Sequence, residues 1–201
     1  MLSAAGIAVL TRSGLGTSQI SSLPYVASLI LPVSLGTATF IMNAAFVLAQ
    51  FCLLGRRFGR HEFLQLPLTA FFSLCIDVAM CATASIVPAI YAERIGLCLI
   101  GAAVLALGIS LQVLANVAIL PGEGLVRAVA RKTGVHFGAI KMAFDFALVI
   151  ASVIASFACL GKLVGVREGT IISALLVGPA TKLIIGKLEP LAHRLSGTSK
   201  T

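Results

Sequence analysis

The sequence predicts an all-α integral membrane protein. Of its 201 residues, 59% are hydrophobic and 11% are charged, whereas soluble domains have about 45–50% apolar and about 25% charged residues. The apolar residues form long continuous runs, without the alternation of about 10-residue segments that is typical of a transmembrane barrel. We therefore expect helices, which satisfy their own backbone hydrogen bonds inside the bilayer.

The apolar runs give about six transmembrane helices, the first one short, because about 20 apolar residues are needed to cross a bilayer. The first run is about half a helix shorter than its counterpart in the second half, which either an upstream start or a truly short first helix would explain. The runs are Met1–Arg12, Leu35–Leu54, Leu64–Ile90, Ile95–Leu120, Ala139–Leu160 and Thr170–Ile185.

A small-residue stretch follows the first run. Residues 13–22 read SGLGTSQISS and include Ser18, and such residues favour turns and helix caps. The next apolar segment, Tyr25–Leu31, is too short to span and is followed by Pro32. It predicts either an interfacial loop or a re-entrant half-helix, which the bilayer allows only where it is buried in protein or lines a cavity.

A second polar stretch, LPGEGL, lies between the fourth and fifth runs. Pro121 stops the preceding helix, and Glu123 begins the next one, where a carboxylate meets the positive end of the helix dipole. Glu123 and Arg127 are four residues apart in the favourable acid-first order. The two residues form either a capped helix with a surface ion pair or the mouth of a solute or ion path, with Arg127 as an anion contact.

Further polar residues lie within the apolar runs. Asp77 is at the middle of Leu64–Ile90 and is expected to face inward, since a carboxylate at the bilayer centre costs about 2.5–3.5 kcal/mol. Lys141 and Asp145, four residues apart, either neutralise each other or leave Asp145 to act in binding or proton coupling with Asp77 and Asn43. The candidate pathway set is Glu123, Arg127, Asp145, Lys141, Asn116, Asn43, Asp77 and Ser18.

The two halves of the chain align with an offset of 102 residues, which becomes 106 after a four-residue insertion. Repeat 1 covers about 1–92 and repeat 2 about 93–190 of a single transmembrane domain, 1–201, which ends in a basic cytoplasmic tail at 191–201. Three spans per repeat would invert the second copy, as in many transporters. The alternative is a degenerate duplication kept only for packing.

Charge predicts the orientation and excludes several function classes. The net charge is +8, but the basic residues cluster between spans without interleaved aromatic residues, so we expect no nucleic-acid partner. Their excess on one side places both termini in the cytoplasm under the positive-inside rule. The cysteines and histidines lack metal-ligand spacing, and no nucleophile motif is present, so the sequence predicts no metal, no cofactor and no enzyme.

Four segments carry a resemblance to a known family: SGLGTSQISSLPY, LGISLQVLANVAILPGEGL, FGAIKMAFD and GTIISALLVGPATKL. The chain resembles the YczE family of bacterial inner-membrane proteins, often grouped with YyaS and YitT. The resemblance covers nearly the whole chain and implies a multi-pass protein of the bacterial cytoplasmic membrane with five or six helices. It implies no activity and no set of functional residues.

Two functions remain open from the sequence. The first is a small secondary transporter or permease for a small polar or anionic solute. The second is a non-transporting accessory or regulatory protein that scaffolds a partner through its basic loops. The expected partners are the lipid bilayer, a small polar solute, and either further copies of the chain or another membrane protein.

Overall fold

The computed structural model is helical throughout its regular elements over the residues that it describes, 1–55, 58–115 and 120–195. The elements are α1 (Leu2–Arg12), α2 (Gln19–Ile30), α3 (Leu35–Leu54), α4 (Arg60–Phe63), α5 (Gln65–Ala82), α6 (Tyr91–Ala115), α7 (Pro121–Thr133), α8 (Phe137–Leu160) and α9 (Glu168–Leu195).

Within the described residues, five helices are long and apolar enough to cross a membrane: α3, α5, α6, α8 and α9. The first predicted span is the short apolar helix α1, of 11 residues. In its most apolar 18-residue window α6 is 39% buried, whereas α9 is 6% buried. α6 therefore lies inside the bundle, and α9 lies at its periphery. An all-helical membrane bundle is thus confirmed.

Two predicted boundaries were wrong. α5 ends at Ala82 rather than at Ile90. Directly after Ala82, Thr83 donates hydrogen bonds from its amide and its Oγ1 to the carbonyl of Ala79, and the chain turns. α9 continues through Pro179 and reaches Leu195, so part of the expected tail is helical. By contrast, α3 has the predicted bounds, since Ser34 Oγ caps its first turn and Gly55 ends it with φ 51°.

α1 and α6 pack antiparallel at the centre through glycines. A Cβ at Gly6 would lie 2.5 Å from the backbone of Leu105, and a Cβ at Gly108 would overlap the backbone of Ser3. Small residues at helix contacts let backbones approach closely in a bilayer, where dispersion and packing drive association. Leu10, Ile76 and Cys98 complete the core around this contact.

The bundle has two sides. On side 1, α3 begins, α5 ends and the residue 13–18 turn meets the loop before α9, with Thr17 N donating to Gly165 O at 3.2 Å. On side 2, α3 ends and α5 begins. α2 leads to the start of α3 on side 1, and α7 leads to the start of α8 on side 2.

The short helices α2 and α7 occupy corresponding places in the bundle. Each packs against both α3 and α8, and each has buried residues in its first turn. At about 1.5 Å per residue they are about 18 Å and 20 Å long, which is less than the roughly 30 Å of hydrocarbon. Neither α2 nor α7 can cross the membrane alone.

Candidate functional site

A polar seam runs between α3 and α5 through most of the bundle. It is formed by Gly36, Thr39, Asn43 and Gln50 of α3 with Gln65, Thr69, Ser73 and Asp77 of α5. The α5 residues recur every four positions and so share one helix face. Seven of the eight are buried, and Asp77 is half-buried.

At the side-2 end of the seam, two buried amides join three helices. Gln50 Nε2 donates to Gln65 Oε1 at 3.1 Å and to the carbonyl of Pro121, the first residue of α7, at 3.0 Å. Gly124 permits this contact, because a Cβ there would lie 2.6 Å from Gln50 Oε1. The seam therefore ends against the first turn of α7.

At the side-1 end, Asp77 holds the start of α3. Its Oδ1 accepts from the Gly36 amide at 2.8 Å and its Oδ2 accepts from Ser34 Oγ at 2.6 Å. A carboxylate is stabilised there by the positive end of the helix dipole. The sequence placed Asp77 at mid-depth, but the earlier end of α5 moves it to within two turns of the helix terminus.

Between these two ends the seam contains hydroxyls without partners. Thr69 is 0% exposed and Ser73 is 5% exposed, and neither Thr69 Oγ1 nor Ser73 Oγ has a hydrogen-bond partner. Both side chains face α3, because Gln65 and Asp77 on the same face of α5 contact it. A buried unpaired hydroxyl costs about 1–3 kcal/mol, so each needs an explanation beyond packing.

The beginnings of α2 and α7 lie close together inside the bundle. A Cβ at Gly122, the second residue of α7, would lie 3.7 Å from Cδ1 of Ile20, the second residue of α2. Phe46 and Phe144 cover the same point, with ring centroids 5.2 Å apart in an edge contact. The amino ends of α2 and α7, both positive ends of helix dipoles, thus lie close together beside the rings of Phe46 and Phe144.

Ser18 and Glu123 stand at these two helix starts. Ser18 precedes α2, and its Oγ donates to Ser21 Oγ at 2.9 Å. Glu123 is half-buried in the first turn of α7, while Arg127 is exposed. In the described part of the chain these two residues do not form an ion pair, so the expected surface pair is absent there.

Lys141 and Asp145 form the pair that their spacing predicts. Lys141 Nζ lies 2.5 Å from Asp145 Oδ1 and 2.7 Å from Oδ2. Both side chains are on α8 and partly exposed, at 27% and 20%. Of the two interpretations, the geometry is that of a self-neutralising pair. Asn116 lies outside the described residues.

A family model described as a family of unknown function, DUF6198, matches residues 1–186. The chain belongs to the DUF6198 family. No curated protein and no solved structure matches it. The family description carries neither the YczE name nor an activity.

In this DUF6198 protein, the sequence predicted two residues of the seam, one at its side-1 end and one between its ends. Asn43 and Asp77 were both candidates, and the structure places them on the same seam, whereas Asp145 lies on α8. Gln65, Thr69 and Ser73 were missed. The signal was a polar residue at every fourth position of an otherwise apolar helix.

The described residues offer the DUF6198 protein no evident metal centre. They contain no group of three or more His, Cys, Asp or Glu side chains that could hold an ion. The five cysteines form no disulfide, with Cys75 and Cys98 in the core and the others exposed. The chemistry on offer is hydrogen bonding by hydroxyls, amides and one carboxylate.

Proposed function

We propose that this DUF6198 protein is a small permease of the bacterial inner membrane, built from two inverted repeats, that moves a small polar solute. The observation that carries the proposal is the meeting of α2 and α7 inside the bundle at Ile20 and Gly122. Half-helices whose amino ends meet within the membrane are typical of transporter binding sites.

The helix boundaries support the inverted repeat. With the offset of 102, Gln19 at the start of α2 pairs with Pro121 at the start of α7, and Leu35 at the start of α3 pairs with Phe137 at the start of α8. With the offset of 106, the end of α3 pairs with the end of α8. The reciprocal contacts of Gly6 and Gly108 follow the same symmetry.

The basic residues support side 2 as the cytoplasmic side, with both termini inside. Arg127, Arg131 and Lys132 are exposed at the end of α7 near side 2. Few basic residues lie near side 1, where Arg12, Arg94, Lys162 and Arg167 are found. The positive-inside rule favours this orientation, and the resemblance to the YczE family favours the bacterial inner membrane.

Solute uptake by the purified protein tests the proposal. Proteoliposomes are exposed to a panel of polyols, amides, amino acids and carboxylates, and uptake is compared with protein-free vesicles. We expect uptake of at least one solute, reduced in Gly122→Leu, whose longer side chain would press on Ile20 and Phe144. Gly122→Ala is the matched control, because a Cβ there meets only ordinary contacts. Background uptake for every solute would refute transport.

The second function is a scaffold, and the exposed basic end of α7 favours it. Arg127, Arg131 and Lys132 project from a helix that is otherwise anchored in the bundle, so they could dock an acidic partner surface. A stoichiometric partner that co-purifies with the wild type and is lost from the triple Gln variant would support the scaffold. Retention by that variant would count against it.

A further inference from the structure

We propose that the polar seam between α3 and α5 is the path of the solute, and that the solute is an uncharged hydrogen-bonding molecule of the polyol or amide class. The inference rests on the proposed permease function and adds the route and the substrate class. In it, α5 moves away from α3 and exposes the seam to water and solute.

The first observation is that two buried hydroxyls in the seam have no hydrogen-bond partner. Thr69 Oγ1 and Ser73 Oγ are buried without partners, although buried polar groups in proteins are nearly always paired. While the seam is closed, these two buried hydroxyls destabilise the protein. When the seam is open, they are available to bind water or solute. In an open seam each hydroxyl can both donate and accept a hydrogen bond.

The second observation is that the contacts at the two ends of the seam are polar. They consist of hydrogen bonds between polar side chains and helix ends: Gln50 with Gln65 and Pro121, and Asp77 with Ser34 and Gly36. Water can replace such bonds at little net cost, since the net value of a protein hydrogen bond is small. The polar contacts at the two ends of the seam can therefore be exchanged for contacts with water when the seam opens.

The charges along the seam indicate which class of solute it would bind. α3 has no acidic or basic residue, and α1, which also packs on α5, brings Arg12 to the carbonyl of Met80 rather than into the seam. Asp77 repels an anion, while the positive end of α3 already neutralises much of its attraction for a cation. At the side-2 end, Glu123 in the first turn of α7 offsets the positive end of that helix. The hydroxyls and amides of the seam therefore favour a neutral solute. Of the polar or anionic solutes that the sequence suggested, we retain the uncharged polar ones.

Cysteine labelling of the full-length protein in proteoliposomes tests the route. Thr69→Cys and Ser73→Cys are treated with neutral and anionic thiosulfonates of similar size, and modification of each cysteine is quantified by mass spectrometry. Cys75, buried in the α1–α6 core on another face of α5, is the internal control. Because labelling requires access by water, we expect both new cysteines to react at least about tenfold faster than Cys75, and faster with the neutral reagent.

Uptake measured on the same vesicles separates the two proposals. Loss of uptake on modification of Thr69→Cys, with Thr69→Ser still active and both variants monodisperse, supports the seam as the path. Continued uptake by a protein whose seam cysteines stay as unreactive as Cys75 overturns the seam and leaves the permease intact. Faster reaction with the anionic reagent overturns the neutral substrate class. Reactive seam cysteines without uptake of any solute overturn the permease itself.

Discussion

The pair α3 and α5 differs from its counterpart in the second half, α8 and α9. α3 and α5 pack closely along the polar seam, whereas α8 and α9 do not pack closely in the described part of the chain. A Cβ at Gly36 would overlap Ser73 and Asp77, whereas a Cβ at its counterpart Gly138 would meet, among the described residues outside its own helix backbone, only the side chain of His136. Two elements with the same order along the chain thus have different neighbours.

The chemistry of one helix face explains the difference. Gln65, Thr69 and Ser73 are 5%, 0% and 5% exposed on α5. The residues of α9 at an offset of 106 include Ile171 and Leu175, which are 64% and 68% exposed. Polar side chains in a membrane must face protein or water, whereas apolar ones can face lipid. The polar face therefore requires a partner helix, and the apolar face does not.

The largest expected effect is at Gly36. In Gly36→Ala the new Cβ would overlap the Ser73 carbonyl oxygen, which is backbone and cannot turn aside. We expect a loss of about 3 kcal/mol, at the upper end for overpacking, and a fall in Tm of about 6–12 °C. Thermal unfolding in detergent measures it. Gly138→Ala is the matched control and should leave Tm unchanged or slightly higher; equal losses would show that the two contacts do not differ.

The next effect is at Asp77, where the two halves differ in charge. Asp77→Ala removes the acceptor of the buried Gly36 amide and one of the two acceptors of Ser34 Oγ, so we expect a loss of about 2 kcal/mol. At the corresponding position Leu183 is 67% exposed, and Leu183→Ala should change stability by less than about 0.5 kcal/mol. Chemical unfolding of both variants measures the difference. A Leu183→Ala loss as large as that of Asp77→Ala would contradict the comparison.

The sequence predicted the bounds of these helices better than it predicted which helices pack against each other. Hydropathy and the residues that cap helices are local, so α3 was predicted from Leu35 to Leu54, as observed. The contact of α5 with α3 depends on packing across the bundle, which no local pattern contains. α5 ends at Ala82, earlier than its apolar run, so Asp77 lies closer to side 1 than predicted, whereas the Lys141–Asp145 pair followed from spacing within one helix.

A third prediction concerns the amide pair that closes the seam on side 2. Gln50→Leu removes the donor to Gln65 Oε1 and to Pro121 O and leaves buried polar groups unpaired, which we expect to cost about 1.5 kcal/mol. In Gln50→Leu/Gln65→Leu part of this loss should return, with a coupling of at least about 0.5 kcal/mol. A double-mutant cycle of unfolding free energies measures it, and strict additivity would mean that the amides do not act together.

The smallest effect on stability is expected at Thr69, where the effect on uptake separates two descriptions of the seam. Thr69→Val keeps the shape of the side chain and removes a hydroxyl that has no protein partner. In a seam that stays closed, the change stabilises the protein by about 1 kcal/mol, because the cost of burying an unpaired hydroxyl disappears. In a seam that opens to water, the hydroxyl is used in the open state, so Thr69→Val should raise Tm by about 2–4 °C while slowing uptake.

Thr69→Ser, which retains the hydroxyl, should keep the wild-type uptake. A Thr69→Val protein that is more stable and transports at the wild-type rate would assign the hydroxyl no part in the path, and the polar face of α5 would then differ from the apolar face of α9 in packing alone.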